Sequence, residues 1–244
     1  MSWATYEPLN TQGPRPEPMQ SSRPDMIAQT PQQFAGQPSN APPPPPRAIS
    51  LPAPAPPAKS ILPDISEFEE IKDWVYLAIA VLFVDVFIIF LTRYFPEFFG
   101  KSLNVWYNRF KLSAVLSDVT VVLLAFTVAR YIYTEWIYPT QDWNPTYFTL
   151  TAVAVQLVHD VLFYFGIVKP MPAGHNSMID VMKEYGETKG LGVIAGDSAL
   201  MIGSSVTAMV LKAAPAHLTV VVGLLTLYAL PYILETKNEY SGIS

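Results

Sequence analysis

Five apolar segments, each close to 20 residues long, constrain the fold of this 244-residue chain more than any other feature. They comprise residues 74–92, 112–134, 146–168, 191–211 and 216–234. A membrane-spanning helix needs about 20 apolar residues, whereas a barrel strand needs about ten residues of alternating polarity. Because the segments are apolar on all sides, we predict an all-α polytopic membrane protein with about five transmembrane helices in a bundle, within residues 74–237.

The first 63 residues have a different composition, because 17 of the 24 prolines lie between Pro8 and Pro63. This region has no apolar periodicity, and its stretch APPPPPRAISLPAPAPPA favours the polyproline II conformation. We predict an extended or disordered tail at 1–63, followed by an acidic linker at 64–73. The N-terminal tail is either a spacer or a docking strand. A short C-terminal tail is predicted at 238–244. The prolines assigned to partner binding are Pro42, Pro43, Pro44, Pro45, Pro46, Pro52, Pro54, Pro56 and Pro57.

The basic residues are divided unequally between the two ends of the predicted bundle. Eight lie at one end, namely Arg93, Lys101, Arg109, Lys111, Lys169, Lys183, Lys189 and Lys237. Three lie at the other end, namely Lys59, Lys72 and Lys212. Cytoplasmic loops of membrane proteins carry the excess of Lys and Arg. We therefore predict that the end with eight basic residues is cytoplasmic and that the tail begins on the other side.

The connection KPMPAGHNSMIDVMKEYGETKG predicts one shorter helix, at about 177–188. Ser177 is a candidate N-cap, with Asp180 three residues later. The apolar stripe of this helix consists of Met178, Ile179, Met182 and Tyr185. We interpret it as an amphipathic helix that rests in the membrane interface. The alternative is an ordinary surface helix that packs on the bundle.

Every predicted spanning segment except the last contains one aspartate at a similar depth. The four are Asp85, Asp118, Asp160 and Asp197. Each lies seven to nine residues from the basic residue that ends its segment, or roughly 10–14 Å at 1.5 Å per residue. Because an aspartate at a helix centre costs about 3 kcal/mol on insertion scales, we expect all four to face the bundle interior. This layer is a register-fixing polar network, a proton or cation site, or the wall of a water-accessible vestibule.

Other residues of the spanning segments have simpler interpretations. His159 points about 100° away from Asp160 on a helix and need not join the layer. Arg130 lies near the end of its segment and is expected to snorkel to the interface. The small residues Gly192, Gly196 and Gly203 predict close helix packing, either within the chain or between chains.

Composition and motifs exclude several classes of function. The net charge of -5 gives no basic field for nucleic acid. The chain has no cysteine for thiolate catalysis or metal ligation, and it has no HExxH, GxSxG or GxxxxGK[ST] motif. We therefore predict that the protein is not an enzyme and that it has no cofactor, metal site or nucleic-acid partner.

Four stretches resemble multi-pass proteins of large icosahedral DNA viruses, the chlorella viruses and their giant-virus relatives. The stretches are NRFKLSAVLSDVTVVLLAF, QLVHDVLFYFGIVKP, GHNSMIDVMKEYG and AGDSALMIGSS, and the resemblance covers about residues 100–210. It implies a membrane-associated minor capsid protein in the internal virion membrane, which derives from a host endomembrane. It supplies no catalytic residue.

The resemblance and the tail together lead to a structural hypothesis. The bundle anchors the protein in a lipid bilayer, and residues 1–63 bind capsid proteins. Association of several copies into a homo-oligomer is left open. The charge-based topology disagrees with this role if the capsid grows on the cytoplasmic side. One alternative is a proton or cation channel or transporter built on the aspartate layer, and another is an adaptor that recruits SH3 or WW modules.

Overall fold

The computed structural model of the chain describes residues 60–99 and 101–237. The nine partner-binding prolines and the C-terminal segment 238–244 lie outside the described residues. Every regular element in the described ranges is helical. In chain order the α-helices are α1 (Lys72–Tyr94), α2 (Pro96–Phe99), α3 (Lys101–Phe110), α4 (Leu112–Ile132), α5 (Pro145–Phe163), α6 (Ser177–Lys189), α7 (Leu191–Ala213) and α8 (Ala216–Leu234).

Five of these helices, α1, α4, α5, α7 and α8, are long and apolar enough to span a membrane. This result confirms the all-α fold class and the number of such helices. Two of the spans are longer than their α-helices, because π-helical turns at Tyr133–Ile137 and Tyr164–Val168 continue α4 and α5. A 3₁₀ turn at Tyr138–Thr140 ends the second span, beyond the predicted end at 134.

Local sequence explains where α5 begins. The Asn144 side chain accepts hydrogen bonds from the backbone N–H groups of Thr146 (2.9 Å) and Tyr147 (3.2 Å). Pro145 occupies the first helical position, where its fixed φ suits the helix and its missing N–H leaves no bond unmade. The helix start is therefore set by two adjacent residues.

Four of the long helices form a closed ring. The helix α1 packs against α4 and α7, and α5 packs against the same two helices from the other side. The helix α8 lies outside this ring, against α1 and α7. The core between the helices contains the fully buried Leu77, Phe126, Phe148 and Met201. The one spanning helix without an aspartate is thus the one outside the ring.

At the end of the bundle with eight basic residues, α3 and α6 pack on each other. The helix α3 is missing from the prediction, although its apolar residues Leu103, Trp106, Tyr107 and Phe110 follow the i, i+3, i+4, i+7 pattern of an amphipathic helix. It also contacts α4 and α1, and it buries Trp106 and Tyr107 in a second core cluster. The position of α3 brings Trp106 and Tyr107 within hydrogen-bonding distance of two aspartates.

The helix α6 packs on α3, α7 and the turn 164–168. The predicted cap at Ser177 is wrong. The Asn176 side chain caps the helix instead, by accepting from the N–H groups of Met178 (2.9 Å) and Ile179 (3.3 Å). The Asp180 carboxylate accepts a hydrogen bond from the Gly174 N–H, so it binds the preceding loop rather than the helix N-terminus.

Of the glycines predicted to allow close packing, Gly203 makes a close approach to another helix in the described part of the chain. A Cβ on Gly203 would lie 3.2 Å from Val84 Cγ1 of α1. Gly192 and Gly196 are exposed, and a Cβ on Gly196 would meet no atom within 4 Å. A Cβ on Gly223 of α8 would lie 3.1 Å from Ile79 Cδ1, and this close approach is absent from the prediction.

Candidate functional site

Residues 60–71, here called the strap, comprise the end of the predicted tail and most of the predicted linker, and they precede α1 without regular helical structure. Ile65 and Ser66 are buried, although the segment reads as an acidic linker. The Asp64 carboxylate shapes the strap locally, because its Oδ1 accepts from both the N–H and the hydroxyl of Ser66 at 2.7 Å. The strap is therefore a packed part of the bundle.

Two basic side chains bind carbonyl oxygens of the strap. Arg130 of α4 donates to the carbonyl oxygens of Glu67 and Glu70, the latter at 3.0 Å. Lys212, in the last turn of α7, donates to the carbonyl oxygen of Asp64 at 2.5 Å. These contacts use the backbone, so they do not depend on the acidic side chains of the strap.

Two uncharged donors add further contacts on the same segment. The Thr134 hydroxyl donates to the Ser66 carbonyl (2.9 Å) and accepts from the Phe68 N–H (3.1 Å). The Trp143 indole N–H donates to the Leu62 carbonyl at 2.8 Å. Donors from α4, from the turn that follows it, from the 141–144 loop and from α7 thus hold the strap along most of its length.

Beneath the strap, the buried carboxylate of Asp73 lies between two cations. Lys212 Nζ is 2.6 Å from Asp73 Oδ1, and Arg130 Nη2 is 3.9 Å from Asp73 Oδ2. The Arg130 guanidinium carbon also lies 4.7 Å from the centre of the Trp74 ring. The prediction that Arg130 snorkels is wrong, because its side chain is 0% exposed. The guanidinium group interacts with Asp73 and with the strap carbonyls instead of water.

At the opposite end of the ring, Tyr107 of α3 brings two of the four aspartates together. Its hydroxyl lies 3.0 Å from Asp118 Oδ2 and 3.3 Å from Asp85 Oδ1. Because the hydroxyl carries one proton, it donates to one carboxylate at a time. The Trp106 indole N–H donates to Asp118 Oδ2 at 3.0 Å. Burial, followed by the charges of Asp118 and Asp85, raises the pKa of Tyr107 well above 10.0.

The third aspartate, Asp160, is bound by side chains of its own helix. The Gln156 amide donates to Asp160 Oδ1 at 2.7 Å, and His159 Nδ1 lies 3.2 Å from the same oxygen. His159 therefore does contact the carboxylate, contrary to the expectation from helix geometry, because adjacent side chains can bend towards each other. The imidazole is 39% exposed and stacks on Phe163.

The fourth aspartate, Asp197 of α7, is partly buried and has no hydrogen-bonding partner among the described residues. It lies near α6, since burial and then the charges of Asp197 and Asp118 raise the pKa of Tyr185. Of the four aspartates, only Asp85 is fully buried, at 1% exposure. In the described ranges no group of three or more His, Asp or Glu residues could hold a metal ion.

Unpaired oxygen atoms remain in this network. Asp85 Oδ2, Asp160 Oδ2 and Gln156 Oε1 are buried without a hydrogen-bonding partner in the described part of the chain. A buried acceptor without a donor costs about 1–3 kcal/mol. Beneath the strap, Asp73 Oδ1 and Oδ2 and Arg130 Nε and Nη1 likewise have no hydrogen bond in the described part of the chain, although Asp73 is ion-paired with Lys212 and Arg130.

Comparisons with family models, with curated proteins and with solved structures give no match to this chain. The strap and the aspartates are accordingly interpreted from their own geometry. The strap joins the tail to the bundle through backbone contacts, and two of the aspartates, Asp85 and Asp118, connect α3 to the helix ring.

Proposed function

We propose that the chain is a structural membrane protein whose helices anchor it in a bilayer while its N-terminal tail tethers that bilayer to a protein shell. The observation that supports this role best is the attachment of the strap. Arg130, Thr134, Trp143 and Lys212 all bind its backbone. A tail that only separated the bundle from other molecules would not need its base attached at so many points.

The contacts of the strap suit it to transmit tension. A force on the tail would reach residues 60–71 first and would pass through the carbonyl oxygens to α4 and α7. These helices lie on opposite sides of α1 in the ring. The force would therefore act on several packed helices rather than on the first turn of α1 alone.

The shell in this proposal is the capsid of a large icosahedral DNA virus, and the bilayer is its internal membrane. The resemblance of residues 100–210 to virion membrane proteins of such viruses supports this assignment. The partners are capsid proteins, which residues 1–63 would bind through prolines 42–57. Many copies beneath one shell would combine weak contacts into strong attachment.

The orientation of the protein remains a prediction from charge. The strap end carries acidic residues, including the exposed Glu67 and Glu69, and the other end carries most of the Lys and Arg. The positive-inside rule then puts the tail on the non-cytoplasmic side. Protease digestion of intact membranes reports directly on this side, and cleavage of the tail from the cytoplasmic side would reverse the orientation.

Deletion of residues 1–60 in virus-producing cells tests the proposal. The truncated protein should insert into membranes normally but should not be incorporated into particles or bridge the membrane to the shell. Deletion of 238–244 serves as the control and should have no such effect. Normal incorporation and normal membrane–shell spacing after removal of the tail would overturn the tethering role.

The aspartates support a second candidate, a pathway for protons or cations. The specific observation is that one hydroxyl, that of Tyr107, contacts both Asp85 and Asp118. In liposomes this candidate predicts an ion flux that disappears with Asp160→Asn or Asp197→Asn. Vesicles that remain silent with verified insertion of the wild-type protein would contradict it.

A further inference from the structure

An open cavity of about 460 Å³ lies between the last turns of the second span and the first turns of α5. Its walls include Trp136, Thr140 and Gln141 on one side and Tyr147, Leu150 and Ala154 on the other. None of these side chains takes part in the strap contacts or the aspartate network.

The polarity of the cavity changes with depth. Thr140 and Gln141 lie where the second span ends, so they are at the membrane boundary. Leu150 and Ala154 are five and nine positions beyond Pro145, or roughly 8 and 14 Å along α5. Thr151 also lines this deeper part, but its hydroxyl already donates to the Tyr147 carbonyl of the same helix. The deeper part is thus mainly apolar, whereas Thr140 and Gln141 make the boundary end polar. A phospholipid has the same order of groups, from headgroup to acyl chain.

Two aromatic rings line the boundary end of the cavity. Trp136 is 68% exposed and Tyr147 is 48% exposed. Neither ring stacks on another ring in the described part of the chain. Their faces are therefore open to a ligand. Aromatic faces bind quaternary ammonium groups, because the ring carries partial negative charge on its face.

The charges around the cavity favour a cation as well. The 38 residues from Tyr131 to Val168 contain no Lys or Arg. The acidic residues Glu135 and Asp142 are exposed and adjacent in sequence to Trp136 and Gln141. An anionic headgroup would find no basic partner in this segment, whereas a positively charged group would be attracted.

We propose that this cavity is a binding site for a phospholipid with a choline headgroup. The trimethylammonium group would lie against Trp136 and Tyr147, and the Gln141 amide would donate a hydrogen bond at the level of the phosphate and glycerol. One acyl chain would run along Leu150 and Ala154. The site is independent of the tethering role, because it shares no residue with the strap.

The test measures lipid retention by native mass spectrometry on the full-length purified protein. Phosphatidylcholine, phosphatidylethanolamine and phosphatidylglycerol with identical acyl chains are offered in equal amounts. Phosphatidylcholine should be retained in preference to the other two. The variant Trp136→Leu should reduce that preference about fivefold, and Trp136→Phe, which keeps a ring face, should retain most of it.

Two further variants separate the site from general effects. Tyr147→Leu should weaken the preference as Trp136→Leu does, whereas Tyr94→Leu, which removes an exposed ring at the other end of the bundle, should leave it unchanged. Far-UV circular dichroism checks that each variant is folded. Retention of phosphatidylethanolamine or phosphatidylglycerol at the level of phosphatidylcholine, or an unchanged preference in folded Trp136→Leu, would overturn the proposal.

Discussion

Lys212 Nζ and Asp73 Oδ1 lie 2.6 Å apart, although the two residues are separated by 139 positions in the chain. The contact joins the last turn of α7 to the first turn of α1 directly beneath the strap. Because Lys212 also donates to the Asp64 carbonyl, one side chain links two spanning helices to the base of the tail.

Replacing Lys212 with Met should lower the free energy of unfolding by about 3 kcal/mol, because it leaves the buried Asp73 carboxylate without its nearest cation. Unfolding by SDS in mixed micelles measures this value. Lys111→Met is the matched control. Lys111 pairs with Glu235 at 2.9 Å, but both side chains are exposed, so the change should be about 1 kcal/mol or less. Equal effects of the two substitutions would contradict the importance of the buried contact.

Thr134→Val should loosen the strap without unfolding the bundle. Valine keeps the shape of threonine but removes the hydroxyl that binds Ser66 and Phe68. The loss of about 1 kcal/mol should speed hydrogen exchange of the Phe68 amide about fivefold. In Thr151→Val, where the hydroxyl binds only a carbonyl of its own helix, the Phe68 amide should exchange at the wild-type rate.

Tyr107→Phe should destabilise the contact between α3 and the helix ring. The substitution removes a donor from Asp118 and Asp85 in a buried place, at a cost of about 1–3 kcal/mol. SDS unfolding again gives the value. Tyr94→Phe removes an exposed hydroxyl and should change stability by about 0.5 kcal/mol at most. A Tyr107→Phe variant as stable as wild type would argue against a structural role for this hydroxyl.

The raised pKa of Tyr107 also predicts a loss of stability at alkaline pH. The unfolded chain releases the phenolic proton near pH 10.0, whereas the folded protein holds it to higher pH. The contribution of this group is therefore complete below about pH 10 and declines as the pH rises towards the folded-state pKa. The difference in stability between wild type and Tyr107→Phe should shrink as the pH rises above about 10. A difference that does not change with pH would rule out this linkage.

The two glycines Gly203 and Gly196 should respond differently to the same substitution. Gly203→Val forces a side chain against Val84 of α1 and should destabilise the protein by about 1–3 kcal/mol. Gly196→Val enters open space and should change the stability of the isolated chain by less than about 1 kcal/mol. If Gly196→Val instead changes the oligomeric state, then this face packs between chains, which is the alternative that the sequence leaves open.

The number and type of the helices long and apolar enough to span a membrane follow from the sequence alone. A run of about 20 apolar residues must form its hydrogen bonds internally in a membrane, so only a helix satisfies it. The spacing of Asp85, Asp118, Asp160 and Asp197 from their basic residues similarly gives their depth, because the helix rise is constant. Both properties depend on residues that are close together in the chain.

The attachment of the strap depends on tertiary structure. No local sequence pattern predicts the burial of Arg130 or its contact with the Glu67 carbonyl, which is 63 positions away. The hydropathy of arginine alone favours an exposed side chain. The helix α3 does have a local signal, in the spacing of Trp106 and Tyr107, but its contact with Asp85 and Asp118 requires the folded ring. The choice of Gly203 rather than Gly196 for close packing likewise depends on which face of α7 meets α1. In each case the deciding contact joins segments distant in sequence, and only the packing of the helices brings those segments together.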